Sequence, residues 1–111
     1  MIDLDAATRQ KVESVLGRFL PETEVRLVGS RTRSGAKRQA DIDLLVMRPE
    51  PMSPLERALL NTAFEESDIP FKVDVLEWGC LTLSFRRHLT EGGAPVLCGH
   101  VGKDRKAAFR R

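Results

Sequence analysis

The apolar residues of the N-terminal half recur first at a helical spacing and then at an alternating one. Positions i, i+3, i+4 and i+7 are apolar within residues 6–20, which predicts an amphipathic helix that Pro21 ends. Residues 24–28 and 41–47 then read as two strands. In the second strand, one side carries Ile42, Leu44 and Val46, and the other side carries Asp41, Asp43 and Leu45.

The C-terminal half predicts a helix, a strand, another helix and a short last strand. Ser53-Pro54-Leu55-Glu56 is a helix start in which Ser53 caps the helix and Glu56 closes a capping box, and we expect this helix to run to about Ser67. A strand that opens at Pro70, a helix over about 82–89 and an edge strand at 96–97 follow. The side chains expected to face inward from the helix that Ser53 caps are those of Leu55, Ala58, Leu59, Ala63 and Phe64.

The order of these elements predicts the fold class. It indicates a small α/β (α+β) protein in which a mixed sheet is covered by helices mainly on one face. A chain of 111 residues suits one domain. We assign residues 1–100 to that domain and expect residues 101–111 to be a basic, flexible tail.

Composition excludes several classes of protein. Hydrophobic residues at 41% and charged residues at 31% are typical of a globular domain. No apolar run approaches the roughly 20 residues of a membrane-spanning helix, and the acidic start of the chain does not resemble a signal peptide. Cys80 and Cys98 are too few for a disulfide scaffold and lack metal-ligand spacing. We therefore expect a cytoplasmic protein with two reduced thiols.

The net charge of +2 is unevenly distributed along the chain. Residues 101–111 contain five basic residues and one acid, which is a local charge of +4. A second basic segment lies immediately before Asp41 and Asp43 and contains no acid; its basic residues are Arg26, Arg31, Arg33, Lys37 and Arg38. Four of them could neutralise phosphate or form an ordinary solvated surface: Arg31, Arg33, Lys37 and Arg38. The neighbouring acids favour phosphate for Arg31.

A glycine–serine turn and three aspartates form the candidate site. Gly29-Ser30 lies where a strand passes into a helical turn, a place where backbone N–H groups bind phosphate and where Gly lets a ligand approach. Asp41 and Asp43 project from one side of their strand, about 7 Å apart at their Cα atoms. Asp74 has the same polar phase in the third strand and joins them if the two strands are neighbours.

Carboxylates gathered on one face of a sheet repel one another unless a cation lies between them. Mg²⁺ binds carboxylates together with substrate phosphates, and two such ions suit displacement at phosphorus. Asp74 would complete a metal site or accept the proton of an attacking hydroxyl. Each feature alone has an ordinary explanation: a solvated strand face for Asp41 and Asp43, and a helix cap for Ser30. The combination is far more specific than its parts.

The same residues carry a family resemblance. Val28-Gly29-Ser30-Arg31 together with Asp41-Ile42-Asp43-Leu44 resembles the signature of the DNA polymerase beta-like nucleotidyltransferase superfamily. Val73-Asp74-Val75 is similar to its third-carboxylate strand. The short chain is similar to the minimal nucleotidyltransferases, which are commonly paired with a HEPN-domain protein as antitoxin and toxin.

The resemblance implies a fold, a ligand and a partner. It implies the polymerase beta-like fold, with ATP as the substrate and two Mg²⁺ ions as the cofactor. Gly29, Ser30 and Arg31 would bind the phosphates. Asp41, Asp43 and Asp74 would form the catalytic, metal-ligating triad. Some members transfer AMP to a tyrosine hydroxyl of the HEPN partner and thereby silence it.

Three functions compete at this point. The first is an enzyme that transfers AMP from ATP to a hydroxyl of a partner protein. The second is a catalytically silent antitoxin that neutralises its partner by forming a complex. The third, direct nucleic-acid binding through the basic segments, is disfavoured because the acidic cluster would repel phosphate without metal. All three aspartate positions are filled, which favours the enzyme.

Overall fold

The computed structural model describes residues 2–29 and 41–99, which form three α-helices and a four-stranded sheet. The helices are α1 (Ala6–Phe19), α2 (Pro54–Glu66) and α3 (Leu83–Gly92). The strands are β1 (Val25–Val28), β2 (Ile42–Val46), β3 (Val73–Glu77) and β4 (Val96–Cys98), and a 3₁₀ turn (Trp78–Cys80) follows β3. These elements confirm the predicted series. The residues numbered 1, 30–40 and 100–111, and with them Ser30, Arg31 and the basic tail, lie outside the described part.

The strands are ordered β3-β2-β1-β4. β1 is antiparallel to both β2 and β4, whereas β2 and β3 are parallel. The sheet is therefore mixed, as predicted. Asp43 lies opposite Val28 on one side and Asp74 on the other. The parallel register sets the two carboxylates side by side on adjacent strands, which lie about 4.8 Å apart.

The two faces of the sheet have separate cores. On one face, α1 and α2 pack against the alternating apolar residues of the strands, including the fully buried Ile42 and Leu44. On the other face, Leu45 and Met47 pack with Trp78 and with Leu89 of α3. Two of the three helices thus cover one face. Among residues 2–29 and 41–99, α3 is the helix that packs on the opposite face, which carries Asp43 and Asp74.

Helix α2 begins as its sequence predicts but turns a different side inward. Ser53 accepts a hydrogen bond from the Glu56 N–H at 3.1 Å, and Glu56 accepts one from the Ser53 N–H at 3.0 Å, so the capping box is confirmed. The prediction that Leu55, Ala58 and Leu59 face inward is wrong. Leu55 is 68% exposed and Leu59 is 49% exposed, whereas Leu60 and Phe64 are buried. The reason is that α2 turns Leu60 and Phe64, which are four residues apart and so share one side of the helix, into the larger core.

Candidate nucleotidyl-transfer site

The centre of the site is the pair formed by Asp43 on β2 and Asp74 on β3. Like charges placed directly opposite on neighbouring strands destabilise a sheet. Both side chains lie on the face opposite the larger core, because Ile42, Leu44 and Val75 occupy the alternate positions and are buried. The predicted juxtaposition of these two carboxylates is confirmed by the register.

The charge of this cluster alters the acidity of Asp43. Partial burial raises the pKa of the Asp43 carboxyl above its ordinary value, and the charges of Asp74 and Asp41 raise it further. Lys72 acts in the opposite direction. Asp41 and Asp74 therefore both lie within electrostatic reach of Asp43. This is the environment that a bound cation would relieve.

Gly29 lies close to the Asp43 carboxylate. Its φ is +80°, a left-handed conformation that L side chains rarely adopt. A Cβ built on Gly29 would lie 2.5 Å from Asp43 Oδ2. The backbone conformation favours glycine at this position, and glycine also leaves room for the Asp43 carboxylate where it lies in this structure.

The donor set fits a divalent cation by its chemistry, since it consists of carboxylate oxygens on adjacent strands beside a backbone open to close approach. Asp41 is exposed and precedes β2. Within residues 2–29 and 41–99, no three His, Cys, Asp or Glu side chains converge closely enough to form a metal site on their own. Asp43 and Asp74 lie side by side on adjacent strands, whereas Asp41 lies just outside β2 and is exposed.

Lys72 is a member of the site that the sequence analysis did not select. Its Nζ lies 3.7 Å from Asp74 Oδ1, and its side chain is 71% exposed. A signal was available, because Lys72 and Asp74 are two residues apart on one strand and so share a face. The ammonium group places a positive charge beside the Asp74 carboxylate.

Arg26 does not belong to the basic segment with which the sequence analysis counted it. It is 7% exposed on β1, where its Nε donates to Glu24 Oε2 at 2.6 Å and its Nη1 donates to the Ala94 carbonyl at 2.6 Å. Glu24 is fully buried. This pair joins β1 to the segment that precedes β4 and is unavailable to a phosphate. The spacing of two residues between opposite charges on a strand was the signal for it.

A mixed sheet with paired carboxylates beside a glycine turn defines the class of protein, a nucleotidyltransferase. The family model described as "nucleotidyltransferase domain" matches residues 9–93, and the chain belongs to this family. The predicted enzyme class is confirmed. The resemblance to the minimal nucleotidyltransferases is confirmed as well by a curated relative, the probable protein adenylyltransferase MntA of Haemophilus influenzae. It is 35% identical over 85 residues, which are 77% of this chain and 75% of the relative.

Solved structures show the same fold. One is the tri-AMPylated Shewanella oneidensis HEPN toxin in complex with its MNT antitoxin, with a TM-score of 0.67 and 17% identity over 93% of this chain and 78% of the matched chain. Another is a toxin–antitoxin structure with AMP-PNP, with a TM-score of 0.71 and 19% identity over 91% of this chain and 80% of the matched chain. Across the part of the chain that the structure describes, no helix has both the length and the apolar character needed to cross a bilayer.

Proposed function

We propose that this protein transfers AMP from ATP to a hydroxyl of a HEPN-type partner protein and thereby acts as its antitoxin. The observation that carries the proposal is the registered pair Asp43 and Asp74 with Gly29 beneath it. The adenylyltransferase relative and the AMPylated toxin complex support the choice of AMP and of the partner class.

The proposed roles follow from the chemistry of each group. Two Mg²⁺ ions would be held by Asp41, Asp43 and Asp74. They would neutralise negative charge at the phosphates and orient the attacking and leaving oxygens in line. The acceptor oxygen forms a bond to the α-phosphorus of ATP as the bond from that phosphorus to the bridging oxygen breaks. Pyrophosphate leaves, and the hydroxyl proton passes to the Asp74 carboxylate. Gly29, Ser30 and Arg31 would bind the triphosphate.

The composition of the chain points to an acceptor on another molecule. The 111 residues include no Tyr, so a transferase directed to tyrosine would have to modify a different chain.

The two free thiols of Cys80 and Cys98 suit a reducing compartment, and we place the protein in the cytoplasm on that ground.

Intact-mass measurement of a HEPN partner tests this proposal. Incubation with this protein, ATP and Mg²⁺ should add one or more AMP-sized increments to the partner and none to this chain. Peptide mapping then locates the modified residue. Labelling confined to the Ser or Thr residues of this chain would contradict the proposal, and so would an unmodified partner.

The alternative, a catalytically silent antitoxin, gives a different result in the same experiment. The partner would be inhibited in the complex without any change in mass, and Asp43→Asn would inhibit it as well as the wild type does. The presence of Asp41, Asp43 and Asp74 together, with Gly29 beside Asp43, favours the enzyme.

A further inference from the structure

The acidic cluster contains an ammonium group as well as its carboxylates. Asp43 and Asp74 lie side by side in the parallel register of β2 and β3. The ladder reaches one residue beyond β3, because the Ile42 N–H donates to the Lys72 carbonyl at 2.9 Å. Lys72 Nζ lies 3.7 Å from Asp74 Oδ1, and both Lys72 and Asp41 act electrostatically on Asp43. Three carboxylates and one cation are therefore coupled at one place on the sheet.

We propose that Lys72 is the counter-ion of this cluster while no nucleotide is bound, and that it passes to the triphosphate when ATP arrives, so that Mg²⁺ binds tightly only together with ATP. The inference rests on the proposed function and concerns how the ligands of the same site depend on one another. It gives Lys72 a role in ligand binding and leaves the transfer step to the aspartates.

The contact between Lys72 and Asp74 is suited to exchange. The Lys72 side chain is 71% exposed and that of Asp74 is 40% exposed, and an exposed ion pair of this kind contributes little to stability. A lysine carries its charge on a flexible stem and can turn toward another acceptor. The Glu24–Arg26 pair differs in both respects, since it is buried and 2.6 Å long. Lys72 can therefore leave Asp74 at small cost.

The Lys72 ammonium group opposes the binding of a free divalent cation. The charges of Asp74 and Asp41 act on Asp43 in one direction, and Lys72 acts on it in the other. A cation held by these carboxylates is repelled by the neighbouring Lys72, and this repulsion is about twice that between two unit charges at the same distance. Lys72 should therefore weaken the binding of Mg²⁺ alone.

ATP reverses the sign of this effect. A triphosphate carries more negative charge than one divalent cation neutralises, so the complex of Mg²⁺ with ATP attracts an ammonium group. Lys72 then exchanges the Asp74 carboxylate for a phosphate, and Asp74 becomes free for its own role. Because coupling between two ligands is reciprocal, ATP raises the affinity for the metal by the same factor as the metal raises the affinity for ATP.

Binding measurements on Lys72→Gln test this assignment without any transfer step. Mn²⁺ alone is titrated by electron paramagnetic resonance, and the binding of ATP in Mg²⁺ is measured by calorimetry, both in the absence of a partner protein. Lys72→Arg keeps the charge. Lys11→Gln is the matched control, because Lys11 of α1 is a partly exposed lysine with its Nζ 3.8 Å from Asp68 Oδ2, and α1 packs on the other face of the sheet.

We expect Lys72→Gln to bind Mn²⁺ alone about three- to tenfold more tightly than the wild type, the size expected for one unit charge beside a divalent cation in water. The same variant should bind ATP in Mg²⁺ about threefold or more weakly. Lys72→Arg and Lys11→Gln should stay within about twofold of the wild type in both affinities. A loss of structure would weaken both ligands and does not produce shifts of opposite sign.

The outcomes that overturn the counter-ion role are distinct from those that overturn the proposed function. Unchanged affinities in Lys72→Gln would reduce its contact with Asp74 to an ordinary surface ion pair. Weaker Mn²⁺ binding by Lys72→Gln, or no Mn²⁺ binding by either protein, would also overturn the role. If the two opposite shifts are found and the wild type modifies no partner, the proposed function fails while the role of Lys72 in ligand binding stands.

Discussion

Gly29 lies so close to Asp43 that a Cβ at residue 29 would stand 2.5 Å from Asp43 Oδ2. The carboxylate is the end of a flexible side chain and can turn away, so Gly29→Ala should fold. The positive φ should cost about 1–2 kcal/mol of stability. Transfer activity should fall about a hundredfold or more, because small displacements of catalytic groups have effects of that size.

Gly17→Ala is the control for that substitution. Gly17 is exposed inside α1 with nothing within 4 Å of a built Cβ. Removing a helical glycine should raise stability by about 0.8–1 kcal/mol and leave activity unchanged. Thermal unfolding and transfer rates measured on both variants check the prediction. Normal activity in Gly29→Ala would show that the close approach to Asp43 has no catalytic meaning.

Asp43→Asn should stabilise the protein when divalent cations are removed. Relief of repulsion from Asp74 and Asp41 should be worth about 0.2–1 kcal/mol, seen as a rise in Tm in EDTA at neutral pH. The folded pKa of Asp43 is raised, so the carboxyl binds its proton more tightly in the folded state. The advantage of the variant should therefore be largest at neutral pH and vanish below the ordinary value of 3.8, where the wild type is protonated.

Two further measurements test the prediction for Asp43→Asn. Mg²⁺ with ATP should raise the Tm of the wild type more than that of Asp43→Asn, because binding to the folded state stabilises it. Glu50→Gln removes an exposed acid before α2. It should change neither the Tm in EDTA nor the rise in Tm with Mg²⁺ and ATP. A lower Tm for Asp43→Asn in EDTA would mean that Asp43 stabilises the fold and is not part of a repulsive cluster.

The buried pair of Glu24 and Arg26 should matter for stability rather than catalysis. Arg26→Met removes the cationic partner of a fully buried carboxylate and should cost about 3–5 kcal/mol in urea unfolding. The double variant Glu24→Leu/Arg26→Met should recover much of that loss, since an apolar pair of similar volume often replaces an ion pair without cost. Equal stability of the wild type and the single variant would contradict this account.

The basic tail should act on encounter with the partner. Deletion of residues 101–111 removes a local charge of +4 and should slow association at low salt, with little effect at high salt, where exposed charge is screened. Stopped-flow association rates at two ionic strengths measure this. Replacing Lys103, Arg105 and Lys106 with Gln is the control that keeps the length. A salt-independent loss would mean that the tail makes short-range contacts instead.

The sequence predicted the order of elements and the face of β2 that carries Asp43, because both depend on local rules. It predicted that Asp74 joins Asp43 only if their strands are neighbours, and the structure shows that they are. Alternation in β2 fixes the side on which Asp43 lies, and the capping box at Ser53 fixes where α2 begins. The side of α2 that is buried could not be predicted from a local pattern. Leu59 and Leu60 are adjacent and equally apolar, and only the packing of α2 against the sheet selects Leu60.

Relationships between distant residues were also beyond the sequence. The close approach of Gly29 to Asp43 depends on the antiparallel register of β1 and β2. Arg26 was counted in a basic segment because charge alone does not reveal burial. For Gly29 and Asp43 the deciding term is the tertiary arrangement, which no local pattern encodes; for Arg26 the spacing from Glu24 was a local signal that a count of charges does not use.

The transfer of label from radioactive ATP tests the central claim most directly. A HEPN partner is incubated with this protein, Mg²⁺ and ATP labelled in either the α- or the γ-phosphate. The account predicts that the partner gains the α-label and not the γ-label, and that EDTA, Asp43→Asn or Asp74→Asn abolishes the gain while Glu50→Gln does not. Gain of the γ-label, or silencing of the partner without any label, would contradict it.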